Sequence, residues 1–246
     1  MMTKLLGAAA ACAMIATPAL AQEKPGKDWN FGDGVTDERW SLISTEYGMC
    51  DAGLMQSPID LATAKARGNV ELDVNFGDAP GTVALGEEKV QVDFAPGYGM
   101  NSGGKDFNLI QVHFHTPAEH AIDGERQPLV AHFVHATDEG ELGVLGVLYE
   151  VGDGNDALDT LVAAVNMGDG TSVTVDTEGM LPDDLDVYRY MGSLTTPPCS
   201  EGVNWHVVAE PVEASAEQIA AIRAALGGDT ARSIQPTGNR LVVAPE

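Results

Sequence analysis

The sequence predicts a β-dominated domain with a few peripheral helices, on three observations. Short segments rich in β-branched and aromatic residues outnumber helical patterns, turn residues separate them, and no repeat, low-complexity tract or linker divides the chain. Residues 70–76 and 90–94 alternate apolar and polar side chains, the period of a half-buried strand. Residues 107–115, 129–135 and 142–150 read as longer strands, with Asp123-Gly124 and Asp138-Glu139-Gly140 as turns between them. Residues 156–165 place Leu158, Leu161, Val162 and Val165 on one helical face. Residues 205–209 and 241–244 add short apolar strands. Between them Ser215, with Gln218 three residues on, forms a capping box for a second helix. Its apolar stripe is Ile219, Ile222 and Leu226, and Gly227-Gly228 ends it.

The first 21 residues are expected to stand apart from this domain. Lys4 precedes an apolar run, and Ala19-Leu20-Ala21 is a small-x-small site, so the sequence predicts a secretory leader cleaved before Gln22. The run is too short to span a membrane, and Ala9 is poorly suited to lipid attachment at Cys12. The mature domain is expected over residues 22–246, periplasmic or secreted, with no membrane span. Its two cysteines, Cys50 and Cys199, are expected to pair in an oxidising compartment; the alternative is two separate buried thiols.

At 44% hydrophobic residues the chain has enough apolar surface for a core, although its net charge is −24. With 13 Lys+Arg against 37 Asp+Glu, nucleic acid and anionic membranes are excluded as natural partners. The acidity reads as a solvated face.

Five of the six histidines fall between positions 113 and 135. Alternation puts His113 and His115 on one face of their strand, together with Gln111. If the strand over residues 129–135 runs alongside, His132 joins them. Three imidazoles with an open fourth position are the pattern of a catalytic zinc site, whereas a closed structural site uses four protein ligands. His120, His135 and His206 read as structural histidines. His113-x-His115-x3-Glu119 is also similar to the metal motif of cupins, in which the glutamate is itself a ligand. Cupins need a further histidine in a second Gly/Pro-rich motif, and no such motif is found.

The segment from Gln111 to His120, followed by Ala131-His132-Phe133-Val134-His135, resembles the zinc site of the α-class carbonic anhydrases. Gln56-Ser57-Pro58-Ile59-Asp60, the stretch from Gly192 to Val203, and Gln235-Pro236-x2-Asn239-Arg240 are similar to further motifs of that family, as is Trp29-Asn30-Phe31-Gly32. The resemblance implies a single large, twisted, mostly antiparallel sheet of about ten strands, with zinc at the bottom of a conical cleft. His113, His115 and His132 would bind Zn2+. Thr195 would accept a hydrogen bond from zinc-bound hydroxide and donate its own proton to Glu119. Val134, Val144, Leu194, Val203 and Trp205 would hold carbon dioxide, with Thr196 and Gln111 on the polar side. The implied reaction is reversible hydration of carbon dioxide to bicarbonate and a proton. A homodimer is one assembly this reading allows. A metal-free binding protein on the same fold is the competing reading, and a cupin-type oxygenase a more distant one.

Two positions depart from the family pattern. Members usually carry Glu two residues before the third zinc histidine, where this chain has Val130, which cannot accept a hydrogen bond. Many carry a proton-shuttling His just before the strand at 90–94, where this chain has Glu88. A histidine titrates near about 6.5 and a glutamate near about 4.3, so a carboxylate is the poorer acceptor at neutral pH.

Overall fold

The computed structural model of the protein describes residues 28–31 and 36–246. The expected leader with Cys12 lies outside them, as does Gly32. Among the described residues thirteen strands form one sheet. In chain order they are β1 (Ala66–Arg67), β2 (Leu72–Asn75), β3 (Asp78–Gly86), β4 (Lys89–Phe94), β5 (Gly99–Ser102), β6 (Lys105–His115) and β7 (Leu129–Ala136). Then come β8 (Leu142–Val151), β9 (Ser172–Asp176), β10 (Val187–Ser193), β11 (Glu201–Val208), β12 (Val212–Ala214) and β13 (Val242–Ala244). Ten of them form the path β1-β13-β10-β11-β8-β7-β6-β4-β3-β9, with β2, β5 and β12 off it. The expected sheet of about ten strands is therefore present. It is mostly antiparallel, with parallel pairing at β1–β13, β11–β8 and β12–β8. The path is open at both ends, unlike the small barrel that a cupin requires.

The expected strands are found, with ends shifted by at most four residues. β1, β3, β5, β9, β10 and β12 were not expected. β3 carries Pro80 and Gly81 yet pairs with both β4 and β9. A Cβ at Gly81 would lie 2.8 Å from the Asp93 carbonyl oxygen, so the residue that hides the strand from a pattern reading is the one that lets it close on β4.

Among the described residues three α-helices accompany the sheet: α1 (Gly48–Ala52), α2 (Asp156–Met167) and α3 (Ala216–Leu226). In α2 the Asn155 side chain accepts from the Leu158 N–H, and the helix buries Leu158, Leu161 and Val165. In α3 the Ser215–Gln218 capping box is formed, and Gly227 closes the helix at φ 83°. Both helices pack on one face of the sheet, against Val112, Phe114, Phe133 and Leu145. The opposite face carries a second apolar cluster around Val130, Val144, Leu148, Tyr190 and Trp205. That opposite face is the one His113 and His132 share.

Cys50 of α1 and Cys199 of the β10–β11 connection form a disulfide across 149 residues of sequence. Pairing, not separate thiols, is the outcome. Among the described residues no helix is long and apolar enough to cross a membrane.

Candidate metal centre and active site

β6 and β7 pair antiparallel with His113 directly opposite His132. His115, two residues further along β6, returns to the same face. The three rings sit 5.1 to 5.2 Å apart between centroids. Each offers a nitrogen such that the three atoms lie within 4.8 Å of one another. The donors fit a metal. His115 Nε2 is buried without a hydrogen-bond partner and faces the shared centre. Burial, with the other imidazoles nearby, holds His113 and His132 well below the ordinary histidine range, so both rings are neutral and free to donate a lone pair.

The ring atoms facing away from the centre are held unequally. His113 Nδ1 lies 2.9 Å from Gln111 Oε1, and His115 Nδ1 lies 2.7 Å from the Thr230 carbonyl oxygen. Gln111 therefore orients a candidate ligand as well as lining the cleft. His132 Nε2 has no partner, and Val130 beside it is wholly buried.

Glu119 is fully buried. Its Oε1 accepts from the Arg232 backbone N–H at 3.0 Å. Its Oε2 has no hydrogen-bond partner and lies 3.6 Å from His115 Nε2 and 3.8 Å from His132 Nδ1. The implied hydrogen bond from Thr195 to Glu119 is not formed among the described residues: one carboxylate oxygen is taken by the backbone and the other is drawn toward the two ring nitrogens. Thr195 is itself buried, in the β10–β11 connection. That connection is tied down by Leu194 N–H to the Ser200 oxygen at 3.0 Å, and by the Gln56 side chain to the Cys199 oxygen at 3.1 Å.

A cleft of about 260 Å³ opens above His113 and His115. Val134, Leu194, Thr196 and Gln111 line it; Trp29, Phe31 and Glu88 stand on its walls too. Val144, Val203 and Trp205 lie in the buried cluster against which Val134 and Leu194 pack, behind the cleft surface. Glu88 accepts from the Phe31 backbone N–H at 3.3 Å. Among the described residues the only histidines on the cleft are ligand candidates. A larger groove of about 600 Å³ beside Arg189 and Arg240 contains none of these groups.

The profile of eukaryotic-type carbonic anhydrases matches residues 36–246, nearly the whole described chain. The chain belongs to the α-carbonic anhydrase family. A carbonic anhydrase of Pectobacterium carotovorum is 33% identical over 219 residues, which cover 87% of this chain and 90% of that protein. The α-carbonic anhydrase of Thermovibrio ammonificans, solved with the inhibitor sulfanilamide, superposes with a TM-score of 0.80 at 38% identity, over 89% of this chain and 99% of that one. Dioscorin, solved with ascorbate, superposes with a TM-score of 0.81 at 28% identity, over 88% and 97% of the two chains. The chain is thus a carbonic anhydrase by family, and carbon dioxide and bicarbonate are the reactants of that class.

Thr230 and Arg232, two supporting residues, carry no sequence signal that would reveal them. Thr230 acts through a backbone carbonyl, which any residue supplies. Arg232 is wholly buried and donates to Gln56 Oε1, the Ser57 oxygen and the Cys50 oxygen at 2.7 to 2.9 Å. His120 is buried with Nε2 2.7 Å from Tyr190 Oη. Burial, with Arg126 and Arg240 nearby, pushes His120 down to about 3.

Proposed function

We propose that this chain binds one zinc ion through His113, His115 and His132 and catalyses the reversible hydration of carbon dioxide. The observation that carries the reading is the convergence of three imidazoles at the foot of a cleft in a carbonic anhydrase fold. When bound, zinc supplies Lewis acidity that brings the ionisation of water into the neutral range, a long-established property of this enzyme class.

The chain's own residues do the rest. Gln111 and the Thr230 carbonyl hold His113 and His115 in the tautomers that leave Nε2 for the metal. Glu119 Oε2 is a buried acceptor with no hydrogen-bond partner; with the metal in place it would accept a hydrogen bond from the Thr195 hydroxyl. With that proton committed, the Thr195 oxygen can only accept, which orients the attacking group toward the substrate. Val134 and Leu194 present an apolar wall that suits carbon dioxide and excludes water. The product proton leaves past Glu88. Residues 1–21 are a cleaved leader and residues 22–246 the exported domain, a reading supported by the disulfide.

Metal analysis of the purified protein tests the assignment. One zinc per chain is expected, lost in His132→Ala. A stoichiometry near zero after growth in adequate zinc would favour the metal-free binding protein instead.

A further inference from the structure

We propose that His120 is the positioning residue for His132, filling the role that a carboxylate at position 130 fills in other members of the family. The inference rests on the zinc reading, since it concerns how a metal-binding imidazole is held.

His113 and His115 each turn one nitrogen to the centre and give the other to an acceptor. In His132 the nitrogen nearest Glu119 Oε2 is Nδ1, so Nε2 points away from the centre, and it is buried with no partner. Val130 on the same face offers it nothing. The neighbouring ring is His120, 6.3 Å away between centroids, with the planes at 75°. Both rings pack on Trp205, at 4.7 and 5.0 Å. His120 spends Nε2 on Tyr190 Oη, and its Nδ1 is buried and unpartnered as well. Two such nitrogens on adjacent histidines are the observation that carries the proposal, because buried polar atoms are almost always satisfied.

At 6.3 Å between centroids the rings are too far apart for a direct N–H···N bond, so the link we infer runs through one bridging water. The direction of the bridge follows from the metal-binding tautomer. With Nδ1 turned to the centre, His132 carries its proton on Nε2 and donates. The far end must accept, so His120 keeps its proton on Nε2, donates to Tyr190 Oη, and accepts at Nδ1. Tyr190 then donates to Ser57 Oγ at 2.8 Å, and that oxygen also accepts from the Ser193 N–H at 3.1 Å. The opposite tautomer of His120 would set two donors against each other in a buried gap. A run from His132 through His120 and Tyr190 to Ser57 thus fixes the third ligand against β10.

Zinc loss to an excess of chelator is timed for the native chain, His120→Leu, Val130→Glu and the double variant. His120→Leu is expected to speed zinc loss about 10- to 100-fold in the native background. In the Val130→Glu background, where the carboxylate accepts from His132 directly, the same change is expected to cost less than about threefold. Equal acceleration in both backgrounds would overturn the proposal, because a merely structural histidine does not sense position 130. Nitrogen-15 NMR of the native chain decides the matter independently of whether the leucine variant folds. The expected signature is an unprotonated Nδ1 and a protonated Nε2 on His120; a proton on Nδ1 would overturn the proposal. A native chain without zinc would remove the proposed function, and the tautomer of His120 would still be read.

Discussion

Val130 is the position where this chain departs most consequentially from its family, because the structure leaves His132 Nε2 without a direct acceptor. Val130→Glu is expected to slow zinc loss to a chelator by about tenfold or more, since a charged acceptor holds an imidazole N–H more strongly than a neutral one. Equal or faster loss would mean that the apolar cluster around Leu148 and Trp205 cannot house the charge. Glu88 is the other departure. A proton passing unaided to water from a group titrating near 7 leaves at about 10³ s⁻¹, given diffusion-limited recombination. Glu88 stands on the cleft but is engaged by the Phe31 N–H. Added imidazole buffer is therefore expected to raise the maximal hydration rate steeply. Glu88→His is expected to raise it in poor buffer and to blunt the response to imidazole. Stopped-flow rates across a buffer series at constant pH check this, and a rate well above 10³ s⁻¹ in minimal buffer that ignores imidazole would contradict it. The clustering of the candidate metal ligands was legible in the sequence because strand alternation puts His113 and His115 on one face. The hydrogen bonds that hold them were only partly so: Gln111 shares that alternation, whereas Thr230 contributes an atom common to every residue.

Among the elements, the β10–β11 connection bears the most functional weight and depends on ties from distant segments. Gly192 sits where a Cβ would lie 2.2 Å from Ser57 Oγ, so the strand end presses directly on the Gln56–Ser57 segment. Trp205 Nε1 donates to the Ser193 oxygen at 2.9 Å. The disulfide adds the covalent tie to α1. Replacing both Cys50 and Cys199 by Ser is expected to destabilise the fold by about 3–5 kcal/mol, because a loop closed over 149 residues loses its constraint in the unfolded chain. Urea unfolding checks this, and an unchanged midpoint would show that the reduced chain is already constrained by other contacts. Helix α3 was readable to the residue from its capping box, because a cap is a local device. β3 was not readable, because Pro80 and Gly81 make sense only once β4 and β9 lie against them.

For the whole molecule, the sheet separates two populations of buried histidine. On the face opposite the triad, burial pushes His135 down to about 3 and His206 down to about 4, from the ordinary 6.5. The unfolded chain therefore binds more protons than the folded one between those values. The stability these neutral histidines allow is complete above pH 6.5 and falls as pH drops toward 4. His206→Leu removes one such group, so its urea midpoint relative to the native chain is expected to rise as pH falls from 7 to 5; a constant difference would contradict the shift. The open ten-strand path explains how one sheet serves both faces, with helices covering one and a reactive cleft opening on the other. The family resemblance was legible across nearly the whole described sequence because the motifs sit on the strands and connections that converge on the triad. The central claim is that this convergence makes a zinc-dependent hydratase. It is tested most directly by stopped-flow hydration of carbon dioxide during titration of metal-stripped protein with zinc. The rate is expected to rise linearly and level off at one equivalent per chain; protein that takes up its zinc and hydrates no faster than buffer would contradict the claim.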